Sequence, residues 1–226
     1  MIQIIGDIPK ESSVLIPIDA GELNGALRVV SSATGVIIFA HGSGSSRHSS
    51  RNRRVASRLN AAGFDTLLFD LLTDAEEVAD RQTAALRFNI PMLSERLVVA
   101  VEWAKTHPQL KGLPIGLFGA STGAAAAIYA AAERPDGVHA LVSRGGRPDL
   151  AEDALPHVKA PTLLLVGGED APVLRMNEAA CRKLTAPGQL RVVEGATHLF
   201  EEPGKLDEVA DLAAAFFAQE LNGIRH

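Results

Sequence analysis

Short apolar runs alternate with longer stretches of helical spacing along most of this chain. Residues 14–18 and 26–30 predict two strands, joined at Asn24-Gly25, a pair that favours the tight turn of a β-hairpin. Val36–Ala40 is apolar at every position, as a strand buried on both faces is. Residues 52–62 have helical periodicity and stop at Gly63. Further strands are expected at 66–69, 115–118, 138–142, 162–166 and 189–193. Helices are expected at 91–107, opened by Pro91 and closed by Pro108, and at Lys205–Leu221. Residues 74–89 are polar and acidic at their start, and suit either a helix or a flap. Strands alternating with helices predict an α/β fold of three layers, with a mostly parallel sheet covered on both faces and an antiparallel hairpin at its N-terminal edge. A chain of 226 residues is enough for one domain with a single large core, taken here as 1–226.

One pentapeptide adds chemistry to this pattern. Gly119-Ala120-Ser121-Thr122-Gly123 follows the strand at 115–118 and precedes the alanine run from Ala124 to Ala127. A strand that turns sharply into a helix exposes the hydroxyl at its tip, beside the amides of the first helical turn. The flanking glycines remove the Cβ atoms that would crowd such a bend. Ser121 is therefore the candidate nucleophile, and a serine hydroxyl needs a base. Of seven histidines, His198 lies in the loop between the last strand and the last helix, at the carboxyl end of the sheet, where function collects in such folds. His139 falls inside a strand, His107 ends a helix, His157 lies at the amino end of a strand, and His48 lacks an acid partner. Asp170 follows the strand at 162–166 and is the candidate acid, although the same position suits the N-cap of a helix. Glu169 and Glu194 are the alternative acids.

The loop after the third strand, His41-Gly42-Ser43-Gly44, is the expected source of one oxyanion donor, the amide of Ser43. The amide of Thr122 is the other, and His41 reads as a brace for the loop. The order Ser121, Asp170, His198 is that of α/β-hydrolases. The segments HGSGSSRHSSRNR, GASTG, GGED and GATHLF together resemble the compact dienelactone-hydrolase-like branch of that superfamily. The resemblance implies an eight-stranded, mainly parallel sheet, no metal and no organic cofactor. Dienelactone hydrolases proper carry a cysteine nucleophile where this chain has Ser121, so their substrate does not transfer. Relatives with this Ser-Arg-His-rich loop are sometimes joined to phosphoribosyltransferase domains, and these 226 residues show none. The expected chemistry is acyl transfer through Ser121, with a small carboxylic ester, thioester or lactone as substrate.

Composition narrows the partners. The net charge is −5 and no long basic block occurs, which argues against nucleic acid. No apolar run reaches the ~20 residues that span a membrane. Residues 1–7 have no basic leader before an apolar core, and the single cysteine, Cys181, forms no internal disulfide; a cytoplasmic monomer or small homo-oligomer is expected. Arg47, Arg51, Arg53 and Arg54 form a local basic patch, and Arg144 and Arg147 follow another strand. Arg47 and Arg144 stand nearest to strand ends and are the candidates for holding an anionic substrate. No H-E-x-x-H or similar ligand spacing points to a metal. Two rivals remain. Gly42-Ser43-Gly44 could open a nucleotide-binding turn, but Arg47 stands where a third glycine is needed. A hydrolase fold without catalysis, acting as a binding protein, is the other.

There is little room for a cap. The stretch 143–160 is short, so an open site is expected, with 74–89 as the one segment able to cover it.

Overall fold

The alternation of apolar side chains within each strand places two cores on opposite faces of one sheet. The structure, a computed structural model, describes residues 10–19 and 21–224. The first seven residues, read above for a leader, lie outside the described residues. Eight strands form a single sheet: β1 (Lys10–Ile18), β2 (Gly21–Val29), β3 (Val36–Ala40), β4 (Asp65–Phe69), β5 (Ile115–Ala120), β6 (Ala140–Arg144), β7 (Thr162–Gly167) and β8 (Gly188–Val193). Their spatial order is β1-β2-β4-β3-β5-β6-β7-β8. The β1–β2 and β2–β4 pairs are antiparallel, and every other pair is parallel.

Among the described residues six α-helices complete the layers: α1 (Ser50–Ala61), α2 (Asp74–Thr83), α3 (Ile90–Thr106), α4 (Thr122–Glu133), α5 (Ala171–Lys183) and α6 (Lys205–Leu221). Ile37, Phe39, Phe118, Val142 and Leu165 face α1 and α6. Ile38, Ala40, Leu117, Leu141 and Leu164 face α3, α4 and α5. Strands buried on both faces cannot show polar alternation, which is why they read as continuous apolar runs.

The hairpin differs from the sequence expectation. Asn24 pairs with Leu15 and Gly25 with Val14, so both sit in mid-strand, and the chain reverses between Ile18 and Gly21. Gly25 is needed there for closeness, since a Cβ would lie 2.8 Å from Val14 Cγ2. Asn24 uses its amide on Asp74 Oδ1 at 3.1 Å. A turn-favouring pair has yielded to the strand pairing around it. The sixth strand is also displaced, running from Ala140 to Arg144. His139 lies before it, at the amino end of the sheet, where its ring accepts the Ile115 N–H. Polar Ser143 and Arg144 continue the strand because their backbones pair with Gly119 and Ala120.

Residues 74–89 form α2 and a short 3-10 turn, Leu86–Phe88. A capping box opens α2: the Thr73 hydroxyl takes the Glu76 N–H, and the Glu76 carboxylate takes the Thr73 N–H. Asp80 is fully buried and accepts from the Leu86 and Arg87 amides and from Arg87 Nε. Burial alone would raise its pKa, but the Arg87 guanidinium and those amides prevail and hold the carboxyl below its ordinary value. Between β6 and β7 lie only two 3-10 turns, Pro148–Ala151 and Leu155–His157, so no cap domain is inserted there.

At the other end of the sheet, Asp65 opens β4 with 1% exposure, and its Oδ1 accepts the Val30 N–H at 2.8 Å. Burial raises its carboxyl to about 6, against a smaller opposing effect of that hydrogen bond. The folded value exceeds the unfolded one, near ~3.9. The stability that Asp65 contributes is therefore full below about pH 4 and is lost as pH rises through about 6, by up to ~3 kcal/mol for a shift of ~2 units. Asp65→Asn keeps the acceptor and removes the charge. Urea unfolding is expected to show the variant gaining ~2 kcal/mol or more relative to the parent between pH 4.5 and 8. An equal difference at both pH values would contradict this account.

Candidate active site

The elbow is built as a strained turn between β5 and α4. Ser121 has φ 51° and ψ −121°, a conformation that costs a serine on the order of 1–3 kcal/mol. Its neighbours hold it there. The Ser121 N–H donates to Arg144 O at 3.1 Å, and its carbonyl accepts from Ala124 N at 3.1 Å and Arg147 N at 3.2 Å. The two glycines act by absence. A Cβ on Gly119 would lie 2.5 Å from Ala124 Cα, and one on Gly123 would lie 2.3 Å from Ala40 O. Both distances are below any real contact, so only glycine lets α4 press onto the ends of β5 and β3.

Asp170 stands at the N-cap position of α5 but makes no side-chain capping bond. Its Oδ2 lies 2.6 Å from His198 Nδ1 instead. The alternative acids, Glu169 and Glu194, are exposed. Two loops set this pair. Gly168 N donates to Val193 O at 2.9 Å and Glu169 N to Ala196 O at 3.0 Å. A Cβ on Gly167 would collide with Ala196 O at 2.3 Å. Phe200, 1% exposed, pins the far side of the histidine loop in the core. With Nδ1–H donating to the carboxylate, Nε2 is the imidazole's acceptor. Ser121 and His198 both adjoin the end of β6. The Arg144 carbonyl takes the serine N–H, and a Cβ on Gly145 would lie 3.4 Å from His198 Cε1.

The loop after β3 closes over the elbow. A Cβ on Gly42 would lie 3.1 Å from Ser121 Cβ. The Thr122 N–H opens α4, where no intrahelical acceptor exists. The Ser43 N–H is engaged: it donates to Thr122 Oγ1 at 2.8 Å. An oxyanion taking that amide must share or displace this bond. His41 bridges two strand ends, with Nε2 accepting from Leu71 N at 3.1 Å and Nδ1–H facing Gly42 O at 3.0 Å. Burial pushes its imidazole below the ordinary histidine value, against the opposing effect of that carbonyl.

The two candidate arginines are not brought together. Arg47 is spent on Asp70, which accepts both its N–H and Nη1. Arg144 lies at the end of β6, three strand positions from β4 across β3 and β5, roughly 14 Å. Arg147 is paired with Asp149 at 2.7 Å. A polar cavity of about 470 Å³ opens between the loop after β3 and α2, with Ser45, Ser46, His48, Asp74, Glu77 and Arg81 among its walls. Sequence reading had not found Gly145, the Thr122 hydroxyl or the Asp70–Arg47 pair. The signal for the last was an acid at a strand end opposite a basic loop. Among the described residues no cluster of three or more His, Cys, Asp or Glu side chains is placed to hold a metal ion, and no helix is long and apolar enough to cross a membrane.

Comparison with known proteins bears on this rim. A solved structure described as dienelactone hydrolase from Anabaena variabilis is 54% identical, with a TM-score of 0.93 over 94% of this chain and 99% of that one. Proteins from two Mycobacterium tuberculosis strains, provisionally named phosphoribosyl transferase, are 54% identical over 199 residues. That match covers 88% of this chain and 44% of theirs, so the chain spans less than half the length of these curated relatives. Est1E from Butyrivibrio proteoclasticus shares the fold at 18% identity, with a TM-score of 0.78 over 92% of this chain and 98% of its own. The family model for dienelactone hydrolases matches residues 25–222, and this chain belongs to the dienelactone hydrolase family.

Proposed function

We propose that this protein is a serine hydrolase that cleaves small carboxylic esters, thioesters or lactones through an acyl-enzyme on Ser121. The observation that carries the reading is the 2.6 Å contact between His198 Nδ1 and Asp170 Oδ2 on the rim that also holds the strained serine. A carboxylate on Nδ1 orients the imidazole, leaves Nε2 to take the serine proton and stabilises the imidazolium that results. Ser121 Oγ attacks the carbonyl, and the charge that develops on its oxygen falls near the amides of Thr122 and Ser43. His198 then protonates the leaving group and activates water to release the acid. No cofactor enters these steps. The provisional name of the Mycobacterium tuberculosis relatives describes proteins of which this chain matches 44%, and the present reading rests on the chain's own rim.

Thr122 has a positioning part in this scheme. Its hydroxyl accepts the Ser43 N–H, which keeps that peptide turned toward the elbow until the developing oxyanion shares or displaces the bond.

Ser121→Ala is expected to lower kcat on p-nitrophenyl acetate by ~10⁴-fold or more while leaving the melting temperature nearly unchanged. A fluorophosphonate should label the parent at Ser121 and not the variant. Retained turnover in the variant would refute the serine mechanism, and a folded parent that neither labels nor turns over would favour the non-catalytic binding fold. Thr122→Val should lower kcat about tenfold with KM little changed, the size of one lost hydrogen bond. Thr122→Ser should restore it. Steady-state kinetics equal in all three proteins would remove the hydroxyl from the mechanism.

A further inference from the structure

The acyl-transfer scheme gives α5 no part beyond the Asp170 at its start, yet this helix carries a buried amide that reaches outside it. Asn177, in the second turn of α5, is fully buried. Its Nδ2 donates to Val173 O in the same helix at 2.8 Å and to Gly146 O, in the turn after β6, at 3.0 Å. Both amide hydrogens are used in this way. A flipped side chain would set its oxygen against two carbonyls, so the orientation is fixed. The Oδ1 atom is buried and has no hydrogen-bond partner. A buried acceptor without a donor destabilises the fold, so a side chain kept only to fill this space would be apolar. The amide is present for what its nitrogen holds.

That turn, residues 145–147, meets the rest of the rim at each position. Gly145 has φ 51° and lies against the His198 ring, where a Cβ would come 3.4 Å from Cε1 and 3.5 Å from Nδ1. Its N–H donates to Leu165 O at 2.8 Å. Gly146 is pressed between β6 and α4, since a Cβ would collide with Ser143 Oγ and lie 2.7 Å from Ala124 Cβ. The Arg147 N–H donates to Ser121 O at 3.2 Å and is one of the bonds that hold the strained serine. The Ser143 hydroxyl, buried beside Gly146, has no hydrogen-bond partner and does not tether the turn. The Gly146 carbonyl is held by Asn177 instead. Through that bond α5, which starts directly after Asp170, is tied to the turn that meets both the histidine and the nucleophile. A small misplacement of reacting groups lowers turnover even where substrate contacts survive, so such a tie bears on the chemistry.

We infer that Asn177 is a positioning residue for acyl transfer: its amide fixes the 145–147 turn, and with it the placement of Ser121 and His198 relative to the helix that presents Asp170. This deepens the hydrolase reading and rests on it. Asn177 touches no reacting atom. It acts through the Gly146 peptide, and the N–H of the following residue grips the serine.

Asn177→Leu, close in size and without donors, tests this. Turnover of p-nitrophenyl acetate is counted per site that a fluorophosphonate labels at completion, so that unfolded protein drops out. The expected result is a fall in kcat of about tenfold, the size of one lost hydrogen bond, with KM changed by less than about twofold. The rate of fluorophosphonate labelling should fall by a similar factor, because it reads the same serine. Asn177→Ser can still donate to Val173 O but is too short to reach Gly146, and should lose as much. Gly146→Ala displaces the same turn from the sheet side. Combined with Asn177→Leu, it should lower kcat no further than the worse of the two alone. A lower melting temperature with kcat per site unchanged makes the amide structural and overturns the inference, as does a change confined to KM. Losses that multiply in the double variant also overturn it, because the two residues then act separately. If Asn177→Leu does not fold, Asn177→Ser supplies the same readings, alone and with Gly146→Ala. Failure of the hydrolase reading is visible independently, as a folded parent that neither turns over the ester nor is labelled at Ser121.

Discussion

A serine backbone held at φ 51° is the constraint around which the rest of this rim is arranged. A strained residue persists only where its surroundings over-determine it. Here the surroundings are three strand ends. β6 takes the Ser121 amide through Arg144, while α4 and the peptide of Arg147 take its carbonyl. Gly123 lets the helix rest against the end of β3. The parallel sheet supplies these ends side by side, at spacings of roughly 4.8 Å, so one bend can be gripped from both sides. The loops carrying Ser43, Asp170 and His198 leave the same edge and inherit its rigidity.

Charge around the elbow is distributed unevenly. On the β4 side Arg47 is neutralised by Asp70, and Arg87 by the buried Asp80. Those pairs fasten the loop after β3 and the segment containing α2 into fixed walls. Glu76 adds a further tie to Arg96 at 2.8 Å. On the β6 side the acids are committed elsewhere, Asp170 to His198 and Glu201 to Arg51. The guanidinium of Arg144 is left desolvated and unmatched.

Segment 74–89 shows how local chemistry turns an ambiguous stretch into structure. Its polarity suits a flap, yet Thr73 and Glu76 spell out a capping box that starts α2. The end of the segment is closed by Asp80 and Arg87, a pair seven residues apart that becomes strong only when the chain doubles back and excludes water. This segment is a wall of the polar cavity beside the loop after β3. Phe88 and Val78, exposed on it, stay outside the core.

Much of this protein follows from local rules. Continuous apolar runs announced strands buried on both faces. Gly119, Ser121 and Gly123 announced a sharp bend because the steric demand lies within five residues. The position of His198 after the last strand marked it as a base candidate, since loops at carboxyl ends of parallel strands meet at one rim. Other features depended on partners far away in the chain. Asn24-Gly25 favours a turn locally, but nine cross-strand pairs place the reversal elsewhere. Asp170 suits a helix cap as well as a candidate acid, and the structure gives its side chain no capping bond but places it 2.6 Å from His198 Nδ1. Arg47 and Arg144 are both arginines C-terminal to apolar runs, Arg47 after a six-residue loop and Arg144 at the end of its own strand. Tertiary structure alone gives one a carboxylate and denies it to the other, because electrostatic pairing is decided by distance in space and by the water excluded between groups. Sequence spacing does not encode such a pairing across the 23 residues that separate Arg47 from Asp70.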